Sequence, residues 1–308
     1  MDILLAVLGL VALLGGGELL VTGAVATARR LSVPPMIIGL TLVGFGTSAP
    51  ELVTSLRAAF AGSPGIALGN VVGSNIANIL LILGLAALLR PLAVDRTALI
   101  RDGRWVAGAA LACAALVFWP VIGRGAGAAL VAGLALFLFL TLRSEGGGAT
   151  ATEEAGTPAP LWNGLVRAAA GLVLTVVGAF ALVDGASGLA RSAGISEAVI
   201  GLTLVAVGTS LPELVTSLLA ARRGHGDVAL GNILGSNVFN ILGILGLTAL
   251  ARPLPVDPQI AGFDIYAMLG ATVLLLVFAA TGRRVTRVEG GVLLAVYAGY
   301  LAILSRTF

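Results

Sequence analysis

Shifted by 162 positions, the chain matches itself without a gap. GLTLVGFGTSAPELVTSL at 39–56 lies over GLTLVAVGTSLPELVTSL at 201–218, and LGNVVGSNIANILLILG at 68–84 lies over LGNILGSNVFNILGILG at 230–246. RPLAVD at 90–95 lies over RPLPVD at 252–257 in the same register. A duplication on this scale constrains the fold more than any single element does, because each unit has to be built against its copy. Each copy also places a proline and a glutamate inside apolar surroundings, in GTSAPE and GTSLPE.

Those surroundings set the solvent. The chain is 58% hydrophobic and 11% charged, with a mean hydropathy of +1.06, whereas soluble domains carry about 25% charged residues. Apolar runs recur at the length that crosses about 30 Å of hydrocarbon. Ten spans are predicted, at 3–27, 32–60, 68–88, 103–122, 124–142, 164–189, 194–221, 230–250, 262–281 and 287–305. The opening MDILLAVLGL lacks a basic region, so it reads as the start of a span and not as a cleaved signal. The expected fold class is an all-α integral membrane protein of ten helices in two repeats of five. The first repeat is 1–142, the second is 162–308, and a cytoplasmic linker loop rich in Gly, Ala, Thr and Glu occupies 143–161.

Five spans per copy is an odd number. The second copy therefore enters the membrane from the opposite side, the inverted-topology repeat that secondary transporters use. All 18 basic residues are arginine, which reads as coding bias. Thirteen of them, including Arg29, Arg30, Arg222 and Arg223, fall on one predicted side, against five on the other: Arg57, Arg124, Arg191, Arg252 and Arg306. Positive residues stay inside, so both termini should face outward from a cell membrane. The pI near 9.7 then reflects membrane orientation and not nucleic acid. Cys113 and His225 each stand alone in the sequence, which excludes a disulfide framework and soft-metal sites. With no HExxH motif and no Cys/His pair, the chain reads as a transporter and not an enzyme.

Four carboxylates fall inside the predicted spans: Glu18, Glu51, Asp184 and Glu213. A charge at mid-membrane costs about 2.5–3.5 kcal/mol on insertion scales, so such groups face a cavity or a partner. Only Glu51 and Glu213 are repeat mates. Glu18 and Asp184 read as access-path or locally hydrogen-bonded acids. Near Glu51, Gly44 and Gly46 weaken the helix and Pro50 leaves an earlier carbonyl unpaired. Such a break survives in lipid only where it lines a cavity or is otherwise satisfied. Thr47, Glu51 and Thr54 share a helix side, with Ser48 and Ser55 beside them. Asn70, Ser74 and Asn78 form a stripe on the next span. The copy supplies Thr209, Ser210, Glu213 and Thr216, then Asn232, Ser236 and Asn240. All are hard oxygen donors, and calcium takes about six to eight of these. Two glutamates also balance one divalent charge.

The paired GTSxPE and GNxxGSNxxNIL blocks resemble the alpha repeats of the cation/calcium exchanger superfamily, especially its prokaryotic sodium/calcium exchangers, over essentially the whole chain. The resemblance implies ten helices in inverted halves, alternating access, and central sites for one calcium and for sodium. Carried over by motif, the ligands are Glu51 and Glu213, Thr47 and Thr209, Ser48 and Ser210, Ser74 and Ser236, and Asn78 and Asn240, with backbone carbonyls from Gly44 and Ala206. Some exchangers carry aspartate at the position of Asn240 or at both positions of that pair. Asparagine at both argues against potassium dependence and leaves Ca2+/H+ exchange open beside Ca2+/Na+ exchange.

The expected function is thus a Ca2+ antiporter, with a cation channel as the rival class. Its expected partners are the lipid bilayer, Ca2+ and monovalent cations, with no nucleic acid, cofactor or protein partner. Thr54, Thr216, Ser55 and Ser217 read as structural, Asn70 and Asn232 as helix caps, and the GNxxGSN glycines as close-packing sites. The first and sixth spans are expected to slide against the other eight on surfaces smoothed by Gly15, Gly16, Gly17, Gly171 and Gly178.

Overall fold

The computed structural model describes residues 1–144, 161–193 and 206–305, and over these the chain consists of helices joined by short turns, with four two-residue strands. In chain order the helices are α1 (Asp2–Leu31), α2 (Pro35–Thr47), α3 (Ala49–Phe60), α4 (Pro64–Leu89), α5 (Arg96–Val117), α6 (Arg124–Ser144) and α7 (Leu161–Ser192). There follow α8 (Ala206–Thr209), α9 (Leu211–Arg223), α10 (Gly226–Ala251), α11 (Ile260–Arg283) and α12 (Arg287–Leu304). Among the described residues seven helices are long and apolar enough to cross a membrane, and the pair α2–α3, bent by 41°, makes an eighth. Two of the ten expected spans are not among these eight. Helix α5 opens with Arg96, Arg101, Asp102 and Arg104, and most of the apolar run before α9 lies outside the described residues. The linker at 145–160 also lies outside them.

The exterior is apolar. Leu111, Phe139, Val173, Val177 and Val273 are all exposed, as expected of helices facing lipid tails. The core is built on α4 and α10, the repeat mates carrying GNxxGSN. In α10 the glycines make close contact with α2: a Cβ on Gly235 would lie 2.1 Å from the Leu40 carbonyl oxygen, and one on Gly231 would lie 2.4 Å from that of Met36. The close-packing role is therefore visible in this copy. Gly69 and Gly73 of α4 have no such neighbour among the described residues.

Helices α1 and α7 are the longest, at 30 and 32 residues, and they pair antiparallel along their length. Their seam is lined by Gly9, Gly16 and Gly23 facing Gly164, Gly171, Gly178 and Gly185, each set spaced by seven. A Cβ on Gly16 would stand 2.4 Å from the Thr175 amide nitrogen, and one on Gly171 would stand 2.2 Å from that of Leu20. Small residues let backbones approach where no hydrophobic drive joins helices in lipid. This corrects the expected use of the glycines: Gly16, Gly171 and Gly178 join the two long helices to each other. Among the described residues Gly15 has no neighbour within 4 Å, and of the five only Gly17 faces α9, against Leu219 and Val215.

Two antiparallel ladders tie the copies together. Strand β1 (Leu92–Ala93) pairs with β4 (Arg284–Val285), and β2 (Val121–Ile122) pairs with β3 (Leu254–Pro255). In each ladder the RPLxVD segment of one copy pairs with the loop between the last two helices of the other.

Candidate cation site

The site is built where two helices begin. Helix α3 starts after Ser48 and α9 after Ser210, with Pro50 and Pro212 in their first turns. Proline is tolerated there because the first helical N–H groups have no partner within the helix. Each first turn carries its glutamate, Glu51 or Glu213, where the positive end of the helix dipole favours a negative charge. Both carboxylates are only 1% exposed.

A serine at this position usually caps its own helix. Here neither does. The Ser48 hydroxyl donates to Glu213 Oε1 at 2.7 Å, and the Ser210 hydroxyl donates to Glu51 Oε1 at 2.9 Å. The two copies thus exchange hydroxyl–carboxylate bonds across the site. The second oxygen of each carboxylate, Oε2, is buried without a partner among the described residues. So are both amide atoms of Asn78 and of Asn240. Buried polar groups are rarely left unpaired without a reason. Two carboxylates and two amides with unused oxygens form a donor set suited to a hard cation.

Asn78 opens a π-helical segment, Asn78–Leu83, and Asn240 lies in its counterpart, Phe239–Leu245. Such bulges recur at functional sites, and nothing in NILLIL or FNILGIL announces them. Of the other expected ligands, Ser74 is buried, while Ser236 donates to the Gly44 carbonyl at 3.1 Å. The Gly44 oxygen is therefore already engaged. Thr47 Oγ1 bonds to the Val43 carbonyl at 3.0 Å and meets Asn232 Oδ1 at 3.2 Å. Thr209 is buried at the end of α8, and Ala206 begins that helix directly after residues 194–205, which lie outside the described set.

One expectation is corrected. Asn70 and Asn232 sit inside α4 and α10 and cap nothing. Asn70 Nδ2 donates to the Glu51 carbonyl at 3.1 Å and to Ser55 Oγ at 2.9 Å. Asn232 Nδ2 repeats this with Glu213 at 3.3 Å and Ser217 at 2.9 Å. They fix each glutamate-bearing helix to its neighbour, and Ser55 and Ser217 are structural as expected. Glu18 is held by an ion pair with Arg223 at the end of α9. Asp184 is exposed on α7.

Sequence reasoning also passed over a buried repeat-mate pair, Asp102 and Asp264. Asp102 pairs with Arg101 at 2.7 Å, and Asp264 accepts from Tyr300 Oη at 3.0 Å. Their offset of 162 was the available signal.

The two asparagine clamps carry a prediction. Asn232→Ala should weaken the apparent Ca2+ affinity about tenfold, since a misplaced ligand need lose only about 1.4 kcal/mol. Asn237→Ala, which removes a bond only to its own helix at Ile233, should lower thermal stability and leave affinity unchanged. Calcium titrations followed by thermal melting separate the two; equal affinity losses would remove the clamp.

The family model described as "Sodium/calcium exchanger protein" matches residues 1–143 and 163–306. The chain is 40% identical over 306 residues to the putative antiporter CaxA of Alkalimonas amylolytica, covering 96% of each chain. It is 36% identical to the sodium/calcium exchanger MaX1 of Methanosarcina acetivorans, covering 98% of each. Its fold matches that of the sodium-calcium exchanger NCX_Mj soaked with Na+ and no Ca2+, with a TM-score of 0.88, 34% identity and 98% coverage of both chains. Helix pairs broken at buried glutamates thus belong to a multi-pass membrane exchanger. The chain is a member of the sodium/calcium exchanger family, within the cation/calcium exchanger superfamily.

Proposed function

We propose that this chain is a secondary antiporter that exchanges Ca2+ for Na+ by alternating access at the site between α3 and α9. The observation that carries the reading is the crossed pair of bonds, Ser48 to Glu213 and Ser210 to Glu51, which brings both carboxylates to one place with an oxygen of each unused. In this reading Glu51 and Glu213 bind one Ca2+, and Asn78, Asn240, Ser74, Ser236, Ser48, Ser210, Thr47 and Thr209 supply neutral oxygens with the Gly44 and Ala206 carbonyls. Binding of Na+ to the same carboxylates excludes Ca2+, and this competition couples the two fluxes. The relative MaX1 is named a sodium/calcium exchanger, which supports sodium as the counter-ion.

The same reading has ten spans in two inverted repeats, 1–142 and 162–308, with the loop 143–161 in the cytoplasm and both termini outside the cell membrane. Helices α1 and α7 slide together against the rest. Their glycine seam supports movement as one body, because neither backbone can shift sideways without meeting the other.

A second reading, Ca2+/H+ exchange, is favoured by one observation: asparagine at 78 and 240 leaves two carboxylates in the site. The deciding experiment is radioactive calcium uptake into proteoliposomes with the potential clamped. Vesicles are loaded with Na+, or given a pH gradient with no Na+ present. Uptake driven by the sodium gradient alone is expected. Uptake driven by the proton gradient alone replaces Na+ with H+, and uptake indifferent to both makes the protein a channel.

A further inference from the structure

Away from the cation site, a cleft of about 460 Å3 opens between the first turns of α5 and the last turns of α11. Its walls are apolar, with Leu99, Ile100, Ala279 and Ala280, and its rim carries Arg96 and Arg283. Both arginines are exposed, and neither has a carboxylate partner among the described residues. Arg283 is not free to swing away at the backbone. Its carbonyl accepts from the Val94 amide at 2.9 Å, and the β1–β4 ladder follows it immediately. Arg283 also holds a left-handed φ of 54°, a conformation that non-glycine residues keep only when their surroundings impose it.

The cleft lies at the C-terminal end of α11, one of the helices long and apolar enough to cross a membrane, and the ends of such helices meet the headgroup region. We propose that it binds an anionic phospholipid, with the phosphate held by Arg96 and Arg283 and an acyl chain laid along Leu99, Ile100 and the two alanines. Guanidinium groups match phosphate oxygens through paired N–H donors. Basic pockets between membrane helices are suited to acidic headgroups. Apolar walls in contact with two cations fit a lipid better than free phosphate, which would leave the groove unfilled. The occupant is neutral to the exchange chemistry, so this inference stands independently of the transported ions.

The test is thermal unfolding of the purified full-length protein in detergent, titrated with phosphatidylglycerol, phosphatidylcholine or inorganic phosphate. Phosphatidylglycerol should raise the melting temperature saturably, and the other two should not. Arg96→Ala combined with Arg283→Gly should remove at least half of that shift. Arg124→Ala, at the start of α6 on the opposite end of the bundle, should retain it. Arg283→Gly alone guards against simple misfolding, because glycine adopts the left-handed conformation without strain; it should melt no earlier than the parent in lipid-free detergent and still respond less to phosphatidylglycerol. An undiminished shift in the double variant, an equal shift from phosphatidylcholine, or a shift reproduced by inorganic phosphate would overturn the proposal.

Discussion

Glu213→Gln should abolish calcium transport and weaken Ca2+ binding by at least about 100-fold. Glutamine keeps the shape of the side chain, and its carbonyl oxygen can still accept from Ser48, as Glu213 Oε1 does at 2.7 Å. The fold should therefore persist. What is lost is one of two negative charges that together balance a divalent cation in a site shielded from water. Breaking a buried charge arrangement by removing one member costs about 3–5 kcal/mol, and about 1.4 kcal/mol is tenfold in affinity. The unliganded variant should melt no earlier than the parent, because a buried charge without its counter-ion is unfavourable. Glu51→Gln should behave alike, since its bond to Ser210 mirrors that of Glu213 to Ser48. Calcium uptake and calcium-dependent melting measure both effects. Intact transport in either variant would remove the carboxylates from the mechanism and the proposed antiport with them.

The second large effect comes from a single methyl group. Gly16→Ala should destabilise the protein by about 2–3 kcal/mol, at the upper part of the range for overpacking a close contact. The added Cβ would meet the Thr175 amide at 2.4 Å, and that neighbour is backbone, which cannot turn aside as a side chain can. Gly15→Ala is the matched control one residue away. It projects into open space, and alanine favours helix over glycine by about 1 kcal/mol, so it should be neutral or slightly stabilising. Thermal melts of the two variants in the same detergent decide the point. Equal behaviour would mean that α1 and α7 are not held by their seam.

Much of this was legible in the sequence because it is written twice. The duplication, the breaks at GTSxPE and the polar stripes on α4 and α10 follow from residue identity and spacing alone. What was not legible depends on contacts between the copies. Ser48 and Ser210 read as cation ligands, and their bonds to the glutamate of the other copy become visible only once the two helix starts are brought together. Asn70 and Asn232 lie near helix beginnings in the sequence, so capping was the natural reading. Their actual partners are the Glu51 and Glu213 carbonyls of the preceding helices. Glu18 finds Arg223 at the far end of another helix, a pairing that no local spacing encodes. The π turns at Asn78 and Asn240 carry no compositional mark.

The two short ladders at the helix ends have a consequence for how the chain is made. Strand β1 is synthesised early, yet its partner β4 lies just before the last helix. Pairing between segments so distant in sequence is intrinsically slow. A ribosome-bound intermediate holding only the first five helices must therefore wait in the bilayer with Leu92 and Ala93 unpaired. The clasp closes only after α11 has been made and β4 has followed it.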